Sequence, residues 1–497
     1  MKRNAIFSAI TIIFSLYTNL SFAQDTSEGT LTMKGSPMGV AWGFAYGYGT
    51  KPEIFLPQLH SMGVHLTKLY LFWQQVEPTK NQFDWSAVDA FLGQLSSSDE
   101  ALLAVFSSSL WATKLSSQTL PPSPAKEMDN YYQFVNQLVK HCKGKIKLWQ
   151  NDCEPNNPIY WSGTVDEFIN QSKIFYKAVK DADPASQVVI GGYDGLFNPP
   201  GMPPIPGQDN GLAFFSKVIK EASAYFDIFD LRLYANPYTI QDRVKYFKQK
   251  LAETGTVKPI ICTEYNGPGF YGFPVNFKYI SVVMQWQQSI ASRDTASFLK
   301  LKNPLSALYD SIHKLAPQTQ MFMMGCSPDL NDKYYRMQCR DIIMRNVLSF
   351  ASGVQKTMYW DLWHDTHEKN DVMTLMFGKN KLMDYENGKL TKPYPQVDAI
   401  KRMTSFMDHM QKVKQIVIPD KKSLYLFEIT KSDKHLVYVA WERRDYFTGE
   451  NQPDTHYLIP WTASKAKATD VFGKVIPATV DKGMLSMDIS LTPVFIE

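Results

Sequence analysis

Two glutamates close short apolar stretches of this chain. The first lies in Leu148-Trp149-Gln150-Asn151-Asp152-Cys153-Glu154-Pro155-Asn156, where an apolar run gives way to a carboxylate followed by proline. Proline fixes its own φ and biases the preceding residue toward extended backbone. The pattern predicts a strand leaving the core with Glu154 at its C-terminal end. The second, Lys258-Pro259-Ile260-Ile261-Cys262-Thr263-Glu264-Tyr265-Asn266, runs out in the same way at Glu264. Two carboxyl groups about 5–5.5 Å apart can split a glycosidic bond with retention, one protonating the leaving oxygen and one attacking the anomeric carbon. Their surroundings must keep one protonated and the other ionised at the same pH. A lone strand-end glutamate is ordinarily a solvated residue; the pair, with its flanking residues, points to chemistry.

Such a pair needs a scaffold that gathers strand ends, and the chain alternates strand and helix signals. Strands are expected at 38–42, 65–72, 101–106, 146–154, 187–192, 226–234, 258–264 and 355–360, with helices at 52–62, from 86, at 129–141, from 164, at 336–350 and at 396–412. Eight near-continuous apolar strands separated by helical patterns predict a parallel sheet covered by helices. The count suits a (β/α)8 barrel, whose active sites gather at the C-terminal ends of the strands; an open doubly wound sheet is the rival. The stretch between strands seven and eight runs to about ninety residues, far beyond an ordinary connection. It begins with the aromatic, glycine-rich 267–273, suited to a substrate wall. From about residue 416 short alternating strands separated by turns predict an antiparallel β-sandwich. The class is therefore α/β: a (β/α)8 TIM barrel over 24–412 and a C-terminal antiparallel β-sandwich over 413–497.

Residues 1–23 read as a cleavable secretory signal: Met1-Lys2-Arg3, an apolar run, then Ser21-Phe22-Ala23. No other stretch is apolar for long enough to span a bilayer, so the expected location is periplasmic or extracellular, with no membrane insertion after cleavage. Removing Lys2 and Arg3 from 52 basic residues against 48 acidic leaves a net charge of about +2, which gives no reason to expect nucleic acid as a partner. Of five cysteines, Cys326 and Cys339 flank the polar 327–332 and are the expected disulfide pair; Cys153 and Cys262 read as separate thiols. No His/Cys spacing suggests a metal, and no cofactor is expected.

The segment around Glu154, with Trp161-Ser162-Gly163-Thr164 after it, resembles the acid/base motif of clan A glycoside hydrolases and is most similar to family 39. Trp73-Gln74-Gln75-Val76-Glu77-Pro78 resembles the clan's segment after strand two, Ser109-Leu110-Trp111-Ala112 the one after strand three, and Thr263-Glu264 the strand-seven nucleophile. The resemblance implies a secreted retaining glycosidase of the β-xylosidase or uronidase type, acting on an oligosaccharide or polysaccharide without a cofactor. Glu154 would be the acid/base and Glu264 the nucleophile, with Tyr234 touching the nucleophile and Trp360 flooring the sugar site. Trp42, Trp73, Trp111 and Trp161 are candidate sugar contacts, each weighed against plain packing, and Glu77 reads as a turn residue. Asp361, His364 and Asp365 read first as a solvated loop.

Three positions depart from the clan's pattern: Cys153 stands for Asn, Lys68 for Arg and Arg232 for His. Asn151 or Asn156 would then have to replace the missing asparagine's contact with the sugar 2-OH. Lys68 and Arg232 suggest an acidic sugar such as a uronic acid. The departures also keep open a catalytically silent carbohydrate-binding protein, and the same residues would serve a transglycosylase.

Overall fold

The computed structural model describes residues 35–43, 52–193, 195, 208–234, 236–293, 295–364, 371–387 and 389–497. The expected signal at 1–23 and Asp365 lie outside them.

Eight parallel strands form one sheet: β1 (Met38–Gly43), β2 (Leu66–Phe72), β3 (Glu100–Phe106), β4 (Leu148–Asn151), β5 (Gln187–Val189), β6 (Phe229–Asp230), β7 (Ile260–Tyr265) and β8 (Val354–Trp363). Their order is β5-β4-β3-β2-β1-β8-β7-β6. The parallel bridges Val189–Ile228 and Tyr193–Leu231 join the two outer strands, so the sheet closes into a barrel rather than an open doubly wound layer. Every residue of β2 and β7 is buried, as expected of strands covered on both faces.

The covering helices include α1 (Pro52–Ser61), α2 (Ser86–Leu92), α3 (Met128–His141), α4 (Val165–Ala182), α5 (Gln208–Ala222) and α6 (Ile240–Ala252). Residues Tyr131, Phe134, Val135, Leu138 and Val139 put one apolar face of α3 on the barrel. The start of α4 is fixed by a reciprocal cap: the Glu167 N–H donates to Thr164 Oγ1, and Thr164 N–H donates to Glu167 Oε2 (2.7 Å).

Between β7 and β8 lie α7 (Ile280–Ala291), α8 (Thr295–Asp310) and the long α9 (Pro328–Ala351). The glycine-rich segment folds into short turns whose Phe270 and Phe273 join Trp286, Phe322 and Tyr334 in a satellite core. Helix α9 starts eight residues before the expected 336, because Pro328 suits a first helical turn and the Ser327 hydroxyl caps it. That overturns the expected disulfide. Cys339 lies well inside α9 and Cys326 before its first turn, so at 1.5 Å rise per residue they stand far beyond bridging distance, roughly 15 Å or more. All five cysteines are free.

The last helix, α10 (Gln396–Met407), stops before the expected 412, and the strand Met410–Ile416 straddles the expected domain boundary. It edges a six-stranded sheet that faces a three-stranded one. One side of the larger sheet, with Val413, Phe427, Val439 and Trp441, is continuous with the barrel core. The other side packs Leu426, Ala440 and Ile496 against Ile459 and Leu485 of the smaller sheet.

Candidate active site

Side chains of a strand alternate between its faces, so Lys68 and Tyr70 of β2 point the same way. Both reach Glu264 on β7. Lys68 Nζ donates to Glu264 Oε1 (2.8 Å) and to Thr263 Oγ1 (2.9 Å), and the Tyr70 hydroxyl donates to the same Oε1. Tyr234, beyond β6, donates to Glu264 Oε2 at 3.2 Å. Burial would raise the pKa of Glu264, but the charges of Arg232 and Lys68, with the Lys68 and Tyr70 donors, hold it down to about 2. Glu264 is therefore ionised across the physiological range.

Glu154 lies just beyond β4. One of its carboxylate oxygens, one of Glu264's and Cys153 Sγ all fall within 4.8 Å of one another. Arg232 sits among the three. Its Nε donates to Glu154 Oε1 (3.0 Å), one terminal nitrogen to Asp230 Oδ2 (2.6 Å) and to Thr263 Oγ1, and the other to Cys153 Sγ (2.9 Å). That last nitrogen is also 3.3 Å from Glu264 Oε1. Asp230 takes further donors from Gln150 Nε2 (2.6 Å) and the Thr263 N–H (2.9 Å). The Cys153 thiol, pushed well above its ordinary pKa by burial and by the Glu264 charge, stays neutral and donates to Glu264 Oε1 at 3.4 Å. Because Lys68 and Arg232 already occupy the space around these donor atoms, a metal cation is repelled there.

Lys68 and Arg232 are fully buried, and their charges are met by the protein's own carboxylates. This removes the reason for expecting an acidic sugar. The candidate asparagines are placed elsewhere. Asn151 accepts from the Tyr131 hydroxyl (3.0 Å) and donates to Ser172 Oγ (2.7 Å), which ties it to α3 and α4. Asn156 lies beside Gly211 of α5.

The tryptophans divide. Trp42 is buried between Phe55 of α1 and Phe91 of α2. Trp73 stacks on Phe134 of α3 and donates to Glu77 Oε2 (2.7 Å), while Trp111 donates to the Glu77 carbonyl (2.9 Å). Glu77 is thus the turn residue expected. Trp161 donates to the Thr164 carbonyl (3.0 Å) and packs edge-on against Phe168. These four indoles are committed to packing and loop anchoring.

Trp360, in the C-terminal half of β8, stacks on His364 (5.0 Å, 18°), and its carbonyl accepts from Asn266, two residues after Glu264. Asp361 and His364 are buried rather than solvated: His364 Nδ1 lies 2.8 Å from Asp361 Oδ1, and burial raises the Asp361 pKa, as does the charge of Glu264. The sequence reading missed Tyr70, Asp230 and Thr263. The signal for Tyr70 was its spacing of two from Lys68 on one strand.

The closed (β/α)8 barrel followed by a β-sandwich has the architecture of solved glycoside hydrolases. A family 39 glycoside hydrolase from the gut symbiont Bacteroides cellulosilyticus superposes with a TM-score of 0.61 at 14% identity, over 93% of this chain and 80% of that one. A family 39 β-xylosidase from Caulobacter crescentus gives 0.53 at 11%, over 93% and 96%. A family 51 α-L-arabinofuranosidase from Bifidobacterium longum gives 0.53 at 11%, over 94% and 98%. The likeness is one of fold. No protein-family profile and no curated protein matches the chain in sequence.

Proposed function

We propose that the protein is a secreted retaining glycoside hydrolase acting on a neutral β-linked sugar, of the β-xylosidase rather than the uronidase type. The observation that carries this reading is the approach of the Glu154 and Glu264 carboxylate oxygens to within 4.8 Å. That approach of the nearest oxygens fits the roughly 5–5.5 Å carboxyl separation of direct attack better than the roughly 6.5–9.5 Å that leaves room for the water of an inverting enzyme. In the first step Glu264 attacks the anomeric carbon and forms a glycosyl ester, while the bond to the leaving oxygen breaks and Glu154 supplies its proton. In the second, Glu154 takes a proton from water, whose oxygen displaces Glu264 from the sugar. Tyr234 and Tyr70 hold the nucleophile in line. The leader at 1–23 supports secretion.

Glu264→Ala is expected to lose activity on nitrophenyl xylosides by about 10³-fold or more, with azide restoring turnover as a glycosyl azide. Full activity of that variant would refute the assignment, and glucuronides outrunning every neutral glycoside would refute the sugar class.

One observation favours a second reading, a carbohydrate-binding protein without turnover. Arg232 donates to Glu154 at 3.0 Å, and a guanidinium there favours the carboxylate over the protonated acid that a leaving group needs. Oligosaccharide binding with no turnover of any activated glycoside between pH 3 and 8 would decide for it.

A further inference from the structure

At the opposite, N-terminal end of the barrel, three side chains of metal-ligating type converge where the sequence spacing showed no pattern. His60 is the penultimate residue of α1, His65 directly precedes β2 and Asp99 directly precedes β3. Asp99 Oδ1 lies 2.8 Å from His60 Nε2 and 3.0 Å from His65 Nδ1. Its other oxygen is taken by the Ser96 N–H and hydroxyl, both at 2.8 Å, so the carboxylate is fixed with Oδ1 facing the two rings. The rings lie nearly parallel with centroids 5.0 Å apart. The main chain holds them there: Gly63, at φ +70°, donates to the His60 carbonyl (2.9 Å), and Glu100 donates to the His65 carbonyl (2.7 Å).

We infer that His60, His65 and Asp99 form a binding site for a divalent first-row transition cation, with zinc the best fit. Two imidazole nitrogens and one carboxylate oxygen are a zinc donor set. The three donor atoms already lie within 4.8 Å of one another. A tetrahedral ion with bonds of about 2.0–2.1 Å needs edges of roughly 3.3 Å, so the rings have only to move slightly outward. In the ion-free site both inner nitrogens donate to Asp99 Oδ1; binding an ion displaces those protons, each ring keeping its one proton on the outer nitrogen so that the inner lone pair coordinates. The carboxylate is buried and each ring about one-third exposed (34% and 35%), so water completes the coordination from the solvent side. An ion here ties the end of α1 to the starts of β2 and β3 and closes the bottom of the barrel. It is remote from the catalytic mouth and independent of the hydrolase reading.

The test is calorimetric titration of the chelator-stripped full-length protein with zinc chloride at pH 7.5, alongside thermal melts with and without the ion. The expected result is one equivalent bound with Kd below about 10 μM and a melting temperature that rises with zinc. His60→Gln and His65→Gln should each weaken binding by about tenfold or more and lose the thermal shift. His60 lies near a helix end and is partly exposed, so its variant keeps the fold, to be checked by circular dichroism. Cys153→Ser separates this site from the catalytic cluster and should bind zinc as the parent does. Absence of stoichiometric binding, unchanged affinity in both histidine variants, or loss of binding in Cys153→Ser instead would overturn the site and leave a hydrogen-bonded triad.

Discussion

At the catalytic mouth the cations of Lys68 and Arg232 face the carboxyl groups of Asp230, Glu154 and Glu264, all of them largely buried. Buried charges persist only when paired and hydrogen-bonded, and here the pairing also keeps the nucleophile ionised. Asp152, beside this cluster, shows the opposite case. It is fully buried at φ +52° and among the described residues accepts from Ser107, through the N–H (3.0 Å) and the hydroxyl; burial pushes its pKa up to about 7. A folded-state value above the ordinary 3.8 means that this side chain's contribution is intact below pH 4 and is lost as the pH climbs toward 7. Asparagine tolerates the left-handed backbone and carries no charge. Asp152→Asn is therefore expected to gain about 2–4 kcal/mol over the parent at pH 7.5 and little at pH 4. Urea melts at the two pH values check this, and an equal gain at both would contradict it. The two glutamates stand out in one dimension, each closing an apolar run and Glu154 preceding a proline, whereas Tyr234 came only from the family resemblance. Asp230 and Thr263 were not, since what recruits them is Arg232, and its partners come from β6, β7 and the segment that follows β4.

Among the elements, the junction of β5 and β6 is closely packed. Gly192 donates to the Cys153 carbonyl (2.6 Å), and a Cβ there would lie 2.6 Å from Asp230 Oδ2 and 2.8 Å from Arg232 Cζ. Gly192→Ala must push the guanidinium off its carboxylates. The expected result is a loss of about 1–3 kcal/mol in stability and a fall in kcat larger than any change in KM, because the shift is felt at Glu154 and Glu264. Unchanged melting and unchanged kcat would show that the cluster is looser than its distances imply. Strand β6 itself shrank from an expected 226–234 to Phe229–Asp230, because the residues that follow bend to aim Arg232 and Tyr234 into the mouth. Its apolar composition announced a strand, but not where function interrupts it. The polar 327–332 read as a loop for a related reason: the Ser327-Pro328 helix start is a local signal, outweighed there by the surrounding polarity. The tryptophans were ambiguous between packing and stacking until α1 to α4 were in place to receive Trp42, Trp73 and Trp161, and the Glu77 turn to hold Trp111.

For the molecule as a whole, α9 links the sandwich to the catalytic mouth. Glu450, in a turn of the sandwich, accepts from Lys333 (3.0 Å), Arg336 (3.0 Å) and Arg340 (2.7 Å) along one side of the helix. Further along, Arg345 pairs with Asp341 (2.7 Å) and donates to the Leu233 carbonyl, next to Tyr234. Partial burial opposes ionisation of Glu450, but its three cations bring its pKa down to about 2. A folded-state value below the ordinary 4.5 means that its stabilisation is complete above that pH and is lost as the pH falls toward 2. Glu450→Gln should therefore cost about 2–3 kcal/mol at pH 7, and the deficit should shrink as the pH approaches 3. Because Val413, Phe427 and Trp441 share one core with the barrel, the loss should appear as a shift of a single unfolding transition. Two separate transitions, one for the sandwich, would mean that the shared core does not couple the layers and that Glu450 only decorates their boundary.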